Sequence, residues 1–370
     1  MMSRQDHNVP TILFAGGGTG GHVYPAIAIA DAVRSLEPNA SIAFAGTKER
    51  LEWTAVPKAG YPIHPITVSG FQRSLSPRNL TFPFKLLKGL AESWSLVGRL
   101  NPDVVVGTGG YVSGPVLWTA SLRKRPTLIQ EQNAYAGVTN RLLAKGASRI
   151  HIAFSEAKAY FPPEKCVESG NPVRESLRSV DRPEARRHFE IPSDARVVFV
   201  FGGSLGSAIL NTAVSDQLEA ILGDGSTWLI WQTGRKHFDA IEAEVSHERL
   251  RLLAYVDRMD FAYAAADIVV SRAGAITCSE LMLTGTPAVL VPARALAEDH
   301  QTKNAKALAD RGAAILLAEP ELDELSSTLA GVLAEGDRLA SMSETLRSLA
   351  KPDAARDIAK DVLGLVGVSR

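Results

Sequence analysis

The stretch TILFAGGGTGGHVYPAIAIADAVR (Thr11–Arg34) decides the fold of this chain. A short β-prone run leads directly into the glycine-rich segment Gly16–Gly21, and a helical pattern follows from His22. Glycine lets the backbone approach a ligand closely, and a helix N-terminus offers unpaired N–H groups with a partial positive charge. The stretch therefore predicts a strand, turn and helix that together bind an anion. The alternatives are a tight turn without a ligand and a dinucleotide site, for which only Glu37 stands near the expected ribose-binding position. The glycines are not followed by the Gly-Lys-Ser/Thr residues of a Walker A loop, so the stretch is not such a loop.

Length and composition limit the class of protein. At 370 residues the chain exceeds the size that one core usually fills, so we expect two domains. Lys and Arg number 40, as do Asp and Glu, and this balance argues against a nucleic-acid binder. Cys166 and Cys278 stand far apart, which is typical of a reducing cytoplasm and provides no metal site. We expect no secretory signal and no membrane-spanning segment, because the first residues are polar and long uncharged apolar runs are missing.

Short β-branched runs alternate with helical patterns along the chain, which predicts an α/β fold with parallel sheets. The strand–glycine–helix plan recurs in DVVVGTGGYVSGPVL (103–117) and in RVVFVFGGSLGSA (196–208). SGNPVRE (169–175) is rich in turn formers and predicts the domain boundary. Ligands of doubly wound sheets bind beyond the carboxyl ends of the strands, so we expect the glycine turns to line one cleft between two domains.

Two polar segments of the second half follow predicted strands. In DIVVSRAGAITCSELMLTGTPA (267–288), Glu280 would lie one turn into a helix, where a carboxylate can accept hydrogen bonds from a ribose diol. In EDHQTKNA (298–305), Gln301 offers the donor and acceptor that sugar hydroxyls require. The alternatives are an acid placed favourably near a helix N-terminus and an ordinary helix cap at Asp299.

The first half contributes another polar segment. QEQNAYAGVTNR (130–141) places Glu131, Gln132 and Asn133 directly after an apolar strand, and Asn140 in the next helix. His22 follows the first glycine turn, where it is either a general base or a structural histidine. Arg174 is either a phosphate clamp or a solvated surface arginine.

An apolar and basic segment is a candidate for membrane contact. FQRSLSPRNLTFPFKLLKGLAESW (71–94) interleaves leucines and aromatic residues with arginines and lysines. An apolar patch with a basic rim suits an anionic membrane surface. The alternative is a buried helix whose cations extend to solvent.

Seven stretches, in this order, closely resemble the MurG family of bacterial glycosyltransferases, which have a GT-B fold. They are GGGTGGHVYPA (16–26), GTGGYVSGP (107–115), EQNAYAGVTN (131–140), GNPVR (170–174), FGGSLGS (201–207), SRAGAITCSE (271–280) and EDHQTKNA (298–305). The resemblance spans both halves and implies two Rossmann-like domains facing across a cleft. It implies an acceptor- and membrane-binding domain at 1–168 and a UDP-sugar-binding domain at 169–353. A C-terminal helix at about 354–370 would pack back on the first domain.

The resemblance also implies roles for individual residues. It places against the donor Asn133, Arg174, Ser204, Val256, Ala273, Gly274, Ala275, Ile276, Thr277, Glu280 and Gln301. Among these, the resemblance implies that Ser204 contacts the diphosphate and that Val256 contacts uracil. It also implies that Glu280 binds the ribose and that Gln301 contacts the sugar. Thr19, Gly20 and Gly21 approach donor and acceptor phosphates, whereas His22, Tyr111, Glu131 and Asn140 line the acceptor side. Family members often have His where this chain has Gln130, and an amide does not serve as an acid or base.

The reaction implied is an inverting transfer of N-acetylglucosamine from its UDP conjugate to the C4 hydroxyl of N-acetylmuramic acid in lipid I, which gives lipid II. His22 is the first candidate for the general base and Glu131 the second. We expect no metal and no cofactor, and no nucleic-acid partner. The expected partners are UDP-N-acetylglucosamine, lipid I, an anionic membrane surface at the cytoplasmic face of the inner membrane, and other cell-wall synthesis and division proteins.

Two other functions are compatible with parts of this pattern. A UDP-sugar 2-epimerase or a glycolipid-forming transferase would share the donor site and differ at the acceptor. A non-catalytic nucleotide-binding or dinucleotide-dependent protein would explain the glycine turns, but not Glu280, Gln301 and Arg174 together.

Overall fold

The computed structural model describes residues 9–68, 82–223, 225–294 and 299–367. The chain divides into two compact units. Unit 1 comprises the residues up to Val173 together with those from Asp353 onward, and unit 2 is Arg174–Pro352. The chain therefore passes from one unit to the other twice.

Unit 1 is built on a parallel sheet that has seven strands among the described residues. The strands are β1 (Thr11–Gly16), β2 (Ser41–Gly46), β3 (Ile63–Pro65), β4 (Val104–Gly109), β5 (Thr127–Glu131), β6 (Arg149–Ile152) and β7 (Cys166–Glu168), in the order β3-β2-β1-β4-β5-β6-β7. The helices are α1 (Gly20–Leu36), α2 (Glu52–Lys58), α3 (Phe82–Leu100), α4 (Ser113–Leu122), α5 (Val138–Leu143) and α15 (Ala354–Gly364). The central strands are buried throughout, as apolar β-branched runs covered by helices on both faces must be.

Helix α15 completes one face of this sheet. Its residues Ile358, Ala359 and Val362 are fully buried in the same cluster as Ile12 of β1 and Ile29 of α1. The last described helix of the chain thus covers the first strand.

Unit 2 repeats the plan with a parallel sheet that has six strands among the described residues. The strands are β8 (Arg196–Phe201), β9 (Thr227–Gln232), β10 (Leu250–Leu253), β11 (Ile268–Ser271), β12 (Ala288–Leu290) and β13 (Ile315–Leu316), in the order β10-β9-β8-β11-β12-β13. The helices are α6 (Arg182–His188), α7 (Ala208–Asp216), α8 (Leu218–Leu222), α9 (Phe238–Glu242), α10 (Met259–Ala265), α11 (Ala275–Thr284), α12 (His300–Ala309), α13 (Leu325–Ala334) and α14 (Gly336–Leu349).

The predicted α/β class with parallel sheets is confirmed. The apolar pattern of 205–222 predicts a single helix from the sequence, and this prediction is wrong: the structure has two helices, α7 and α8, with a break at Gln217. The Gln217 amide donates to the carbonyl of Leu322 at 2.7 Å, and its oxygen accepts from the N–H of Ser326 at 2.9 Å. These tertiary hydrogen bonds hold the break. None of the described helices has the length and apolarity needed to cross a bilayer.

Candidate functional site

The first glycine turn of unit 1 lies between β1 and α1, and a buried carboxylate holds it. Glu52, at the start of α2, is 1% exposed. Its Oε2 accepts from the N–H of Gly18 at 2.9 Å, and its Oε1 accepts from the N–H of Thr47 at 3.0 Å. A Cβ at Gly17 would lie 2.4 Å from Oε1, so glycine is required for this approach. Sequence reasoning missed Glu52, because an acid in the first turn of a helix is common.

The second glycine turn, after β4, packs against the first. Gly110 has φ +80°, and a Cβ there would lie 2.3 Å from the carbonyl oxygen of Gly17. A Cβ at Gly109 would lie 2.8 Å from the ring of His22. Tyr111, next along the turn, is exposed. Unit 1 therefore brings Thr19, the two glycine turns and His22 together.

His22 lies in the first turn of α1 and contacts the polar segment after β5. Its Nδ1 lies 2.9 Å from Oε1 of Gln132, and its backbone carbonyl accepts from Oγ1 of Thr108 at 2.8 Å. The Gln132 amide nitrogen donates to the carbonyl oxygens of Thr108, at 2.8 Å, and Gln130, at 3.1 Å. The imidazole is thus held by a fully buried polar group rather than by solvent.

Glu131 orders the loop that follows it. Its Oε1 accepts from the backbone N–H of Asn133 at 3.0 Å and from the side chain of Asn133 at 3.3 Å. Its Oε2 accepts from the N–H of Gly137 at 3.0 Å and from the amide of Asn140 at 2.8 Å. The carboxylate is buried and both oxygens are engaged, so the geometry favours a loop-ordering role over that of a free base. Asn133, grouped with the donor residues above, belongs to unit 1.

The glycine turn of unit 2 is held by a buried amide. Gln232, at the end of β9, donates from Nε2 to the carbonyl of Gly203 at 2.9 Å. Its Oε1 accepts from the N–H of Val256 at 3.1 Å. Ser204, beside Gly203, is exposed. Gln232 therefore links the turn expected to bind diphosphate with the residue expected to contact uracil, and it occupies the Val256 N–H. The sequence carried no signal for this.

The turn between β11 and α11 presents a helix N-terminus. Gly274 is the N-cap of this ten-residue helix, which begins at Ala275. The fully buried Asn304 donates to the carbonyl of Ala273 at 3.2 Å. Arg272 donates to Oγ of Ser207, the N-cap of α7, at 2.7 Å. The predicted cradle at 273–277 is thus tied to the glycine turn of the same unit.

Glu280 lies in α11, one turn beyond Ile276 and Thr277. Its Oε2 accepts from the hydroxyl of Tyr263 at 3.0 Å, and burial raises the pKa of Glu280 to about 7. The Tyr263 hydroxyl and the charge of Arg174 act in the opposite direction. Burial, with the adjacent Glu280, also raises the pKa of Tyr263 well above its usual value. A desolvated carboxyl near neutrality gains stabilisation from any ligand that donates hydrogen bonds to it.

Gln301 lies in the first turn of α12. Its Oε1 accepts from the N–H of Ala293 at 2.9 Å, which places the side chain over the turn after β12. Glu298 of the same motif lies outside the described residues. The described residues contain no group of three or more His, Cys, Asp or Glu side chains that could hold a metal ion.

Comparison with known proteins follows the division into two units. The glycosyltransferase family 28 N-terminal domain matches residues 12–152, and the family's C-terminal domain matches residues 197–361. A protein of Salinibacter ruber is 57% identical over 358 residues, which covers 96% of this chain and 97% of the relative. A protein of Flavobacterium psychrophilum is 42% identical over 357 residues, with the same coverage of both chains. Both relatives are named UDP-N-acetylglucosamine–N-acetylmuramyl-(pentapeptide) pyrophosphoryl-undecaprenol N-acetylglucosamine transferase.

Solved structures agree with these sequence matches. The crystal structure of Acinetobacter baumannii MurG has a TM-score of 0.77 and 29% identity, covering 96% of this chain and 99% of the other. The UDP-GlcNAc 2-epimerase from Neisseria meningitidis, bound to UDP-GlcNAc, has a TM-score of 0.66 over 96% of this chain, but its 13% identity shows a shared fold alone. The near-complete coverage by close relatives in sequence, together with the two family domains, shows that this chain belongs to glycosyltransferase family 28 and, within it, to the MurG family.

Proposed function

We propose that this chain transfers N-acetylglucosamine from UDP-N-acetylglucosamine to lipid I, undecaprenyl-pyrophosphoryl-N-acetylmuramyl-pentapeptide, and so forms lipid II for peptidoglycan synthesis. The observation that carries this proposal is the 57% identity, over almost the whole of both chains, to a relative named for the same transfer. The groups that the reaction requires are supplied by the glycine turns after β1 and β8, by His22 and by Glu280.

In unit 1, His22 acts as the general base. The C4 hydroxyl of N-acetylmuramic acid attacks the anomeric carbon opposite UDP, and its proton passes to the imidazole as the bond to the diphosphate breaks. A positioned base contributes about 10²- to 10⁴-fold to such a step. The support is geometric: His22 is partly exposed in the first turn of α1, and Gln132 holds its ring. Glu131, whose two oxygens are engaged by Asn133, Gly137 and Asn140, instead orders the loop beside it.

In unit 2, the turn at 202–206 and the N-terminus of α11 bind the diphosphate. Backbone N–H groups and the helix dipole stabilise the negative charge that grows on the leaving group. Ser204 adds a hydroxyl from the exposed part of the turn, and Arg174 adds a positive charge close to Glu280. The carbonyl of Val256, rather than its occupied N–H, contacts uracil.

The ribose and the sugar use two side chains of the same unit. Glu280 accepts from the ribose diol, which supplies hydrogen bonds to its half-buried, desolvated carboxylate. Gln301 contacts the N-acetylglucosamine hydroxyls with its amide, while Ala293 orients the carbonyl end. Thr19, Gly20 and Gly21 approach the phosphates of the bound substrates.

The reaction is tested by UDP release from UDP-N-acetylglucosamine, measured with and without a short-chain lipid I analogue. Release that depends on the analogue, with a disaccharide product, supports the transfer to lipid I. Release without an acceptor contradicts it and indicates epimerase or hydrolase chemistry. UDP binding without release in either mixture contradicts the proposed acceptor.

The location of the enzyme follows from its acceptor and from an apolar surface of unit 1. Phe84 and Leu87 of α3 are 75% and 65% exposed, and Lys85 and Lys88 are exposed between and beside them. Helix α4 packs along α3 and adds Trp118, which is 49% exposed. We call Phe84, Leu87, Trp94, Trp118 and Leu122 the apolar patch. Residues 71–81 of the predicted segment lie outside the described part.

An apolar patch with a basic rim binds an anionic bilayer through buried area and charge together. The proposal is therefore a peripheral enzyme on the cytoplasmic face of the bacterial inner membrane, where it meets lipid I and the other proteins of cell-wall synthesis and division. Flotation with vesicles that contain anionic lipid tests it. Phe84→Ser with Leu87→Ser should abolish flotation, whereas equal binding to zwitterionic vesicles would contradict the role of charge.

A further inference from the structure

A chain of buried amides lies behind His22 and is not explained by substrate binding. Gln130, Gln132 and Asn171 are each no more than 2% exposed. Gln130 donates from Nε2 to Oδ1 of Asn171 at 2.8 Å, and Asn171 donates from Nδ2 to the backbone carbonyl of Gln132 at 3.0 Å. The NH₂ group of Gln132 shares its two hydrogens among three acceptors, which are the side-chain oxygen of Gln130 and two backbone carbonyls. The side chains form one continuous hydrogen-bonded network that ends at His22.

Contacts to three backbone carbonyls fix the orientation of every amide in this network. A carbonyl oxygen only accepts, so the end of Gln132 that contacts the carbonyls of Thr108 and Gln130 must be its NH₂ group. Independently, the end of Asn171 that contacts the Gln132 carbonyl must be its NH₂ group, which turns its oxygen toward Gln130. Gln130 must then present its own oxygen to Gln132. Both routes give the same direction of donation.

The orientation of Gln132 decides the tautomer of His22. With the NH₂ group committed, the group that faces Nδ1 of His22 at 2.9 Å is Oε1, which can only accept. Nδ1 must therefore carry the proton. In a neutral imidazole the other nitrogen, Nε2, then keeps its lone pair. Nε2 makes no hydrogen bond to any side chain or backbone group of the described residues.

We propose that Gln132 is a positioning residue, which holds His22 in the tautomer protonated at Nδ1 and so leaves the Nε2 lone pair available to take a proton. The catalytic meaning of this tautomer rests on the proposed role of His22 as base. A base in the opposite tautomer presents an N–H to the acceptor hydroxyl and cannot remove its proton.

Gln130 strengthens this arrangement. An imidazole at position 130 could present either a donor or an acceptor to Gln132. The Gln130 amide does not titrate, and its oxygen accepts from Gln132 at any pH in the working range. The polarity of the network in this chain is therefore permanent.

The tautomer can be measured directly in the unmodified protein. With ¹⁵N-labelled histidine, the couplings of the ring nitrogens to the ring protons identify which nitrogen of His22 is protonated, and His22→Asn identifies its signals. A proton on Nδ1 at the pH of turnover supports the proposal. A proton on Nε2, or on both nitrogens, overturns it whether or not any variant folds, and independently of any transferase assay.

Two variants of similar size then test whether Gln132 is the cause. Gln132→Met removes the acceptor, whereas Gln132→Glu keeps an oxygen that faces Nδ1. We expect Gln132→Met to populate the Nε2 tautomer and to lower kcat about 10- to 100-fold, with KM for UDP-N-acetylglucosamine unchanged. Gln132→Glu should retain the Nδ1 proton. An unchanged tautomer and kcat in folded Gln132→Met would overturn the proposal. If His22→Ala retained full kcat, the role of His22 would fail while the tautomer assignment stood.

Discussion

The two glycine turns that follow β1 and β8 have the same plan but are held in opposite ways. In unit 1 the Glu52 carboxylate accepts a hydrogen bond from the turn, at the N–H of Gly18. In unit 2 the Gln232 amide donates to the turn, at the carbonyl of Gly203. The first arrangement uses one backbone N–H and places a negative charge behind the turn. The second arrangement occupies no N–H group of the turn and places no negative charge behind it. The unit 2 turn is therefore better suited to the growing charge of a leaving diphosphate.

The largest expected effect separates the chemistry of unit 1 from the binding of unit 2. His22→Ala should lower kcat about 10²- to 10⁴-fold and leave the Kd for UDP unchanged, because the base takes no part in nucleotide binding. Single-turnover rates and calorimetric titration with UDP measure the two quantities, and His237→Ala, a partly exposed histidine of unit 2, is the control. An unchanged kcat would remove His22 from the mechanism.

The second prediction concerns the two side chains that hold the glycine turns, each of which is removed in turn. Glu52→Ala removes the acceptor of two backbone N–H groups, one in the glycine turn after β1 and one in the turn after β2, so it should lower the free energy of unfolding by about 2 kcal/mol. Gln232→Ala should instead weaken UDP binding about tenfold, because the turn and Val256 lose their common partner.

The control variants for Glu52→Ala and Gln232→Ala are Glu49→Ala and Asp239→Ala, which remove exposed carboxylates from the same two units. Denaturant unfolding and UDP titration are measured for all four variants. If Glu52→Ala weakened UDP binding as strongly as Gln232→Ala, the contrast between the turns would be wrong.

The third prediction concerns acid stability. His151 of β6 is 1% exposed, and burial lowers its pKa from 6.5 to about 4. Its Nε2 lies 3.1 Å from Oδ2 of Asp361 on α15, without the alignment of a hydrogen bond.

A histidine whose folded pKa is depressed contributes stability above its unfolded pKa, and that contribution is lost as the unfolded state takes up a proton. The free energy of unfolding should fall by up to about 3 kcal/mol as the pH drops from 6.5 toward 4. Urea unfolding at several pH values measures this slope, which His151→Gln should flatten. An equal slope in the variant would assign the acid sensitivity to other groups.

The smallest expected effect is the pH dependence of uridine binding at Glu280 of unit 2, which is the counterpart of the His151 titration in unit 1. The pKa of Glu280 is raised to about 7, so the protonated form predominates below neutrality in the free protein. Ribose hydroxyls that donate to the carboxylate favour its ionised form, so uridine affinity should fall up to tenfold per pH unit below pH 7. Uridine avoids the titration of phosphate, and calorimetry in buffers of different ionisation enthalpy detects the released proton. Glu280→Gln should show no such dependence, and a pH-independent Kd in the unmodified protein would contradict the ribose contact.

Much of the fold followed from local pattern. Apolar runs, glycine turns and helix starts are properties of neighbouring residues, so β1, β4, β8 and the helices after them could be predicted. The groups that fasten the turns could not be. Glu52 and Gly18 are separated by 34 positions, Gln132 and His22 by 110, and Gln232 and Gly203 by 29. Each of these contacts exists only after strands distant in sequence have paired.

The same reason explains the candidate site. Polar residues at the carboxyl end of a strand, such as Glu131 and Gln132, could be placed at the sheet edge from sequence. Their hydrogen-bond partners could not be predicted. These partners distinguish the two candidate bases, because both oxygens of Glu131 are engaged, whereas among the described residues only Nδ1 of the His22 ring is held, by Gln132. Sequence named the groups, and the tertiary structure adds the hydrogen bonds from which their different roles are proposed.

Helix α15 has a consequence for the order in which the chain is made. A nascent protein emerges from the ribosome N-terminus first, and its domains generally fold as they emerge. Unit 2 is continuous in sequence and can fold once Pro352 has emerged. The first part of unit 1 precedes unit 2 in the sequence but lacks the cover of Ile358, Ala359 and Val362 over β1 until unit 2 has been synthesised. Of the two units, the one whose synthesis starts earlier is therefore completed later, and its apolar sheet face stays uncovered until α15 has been made.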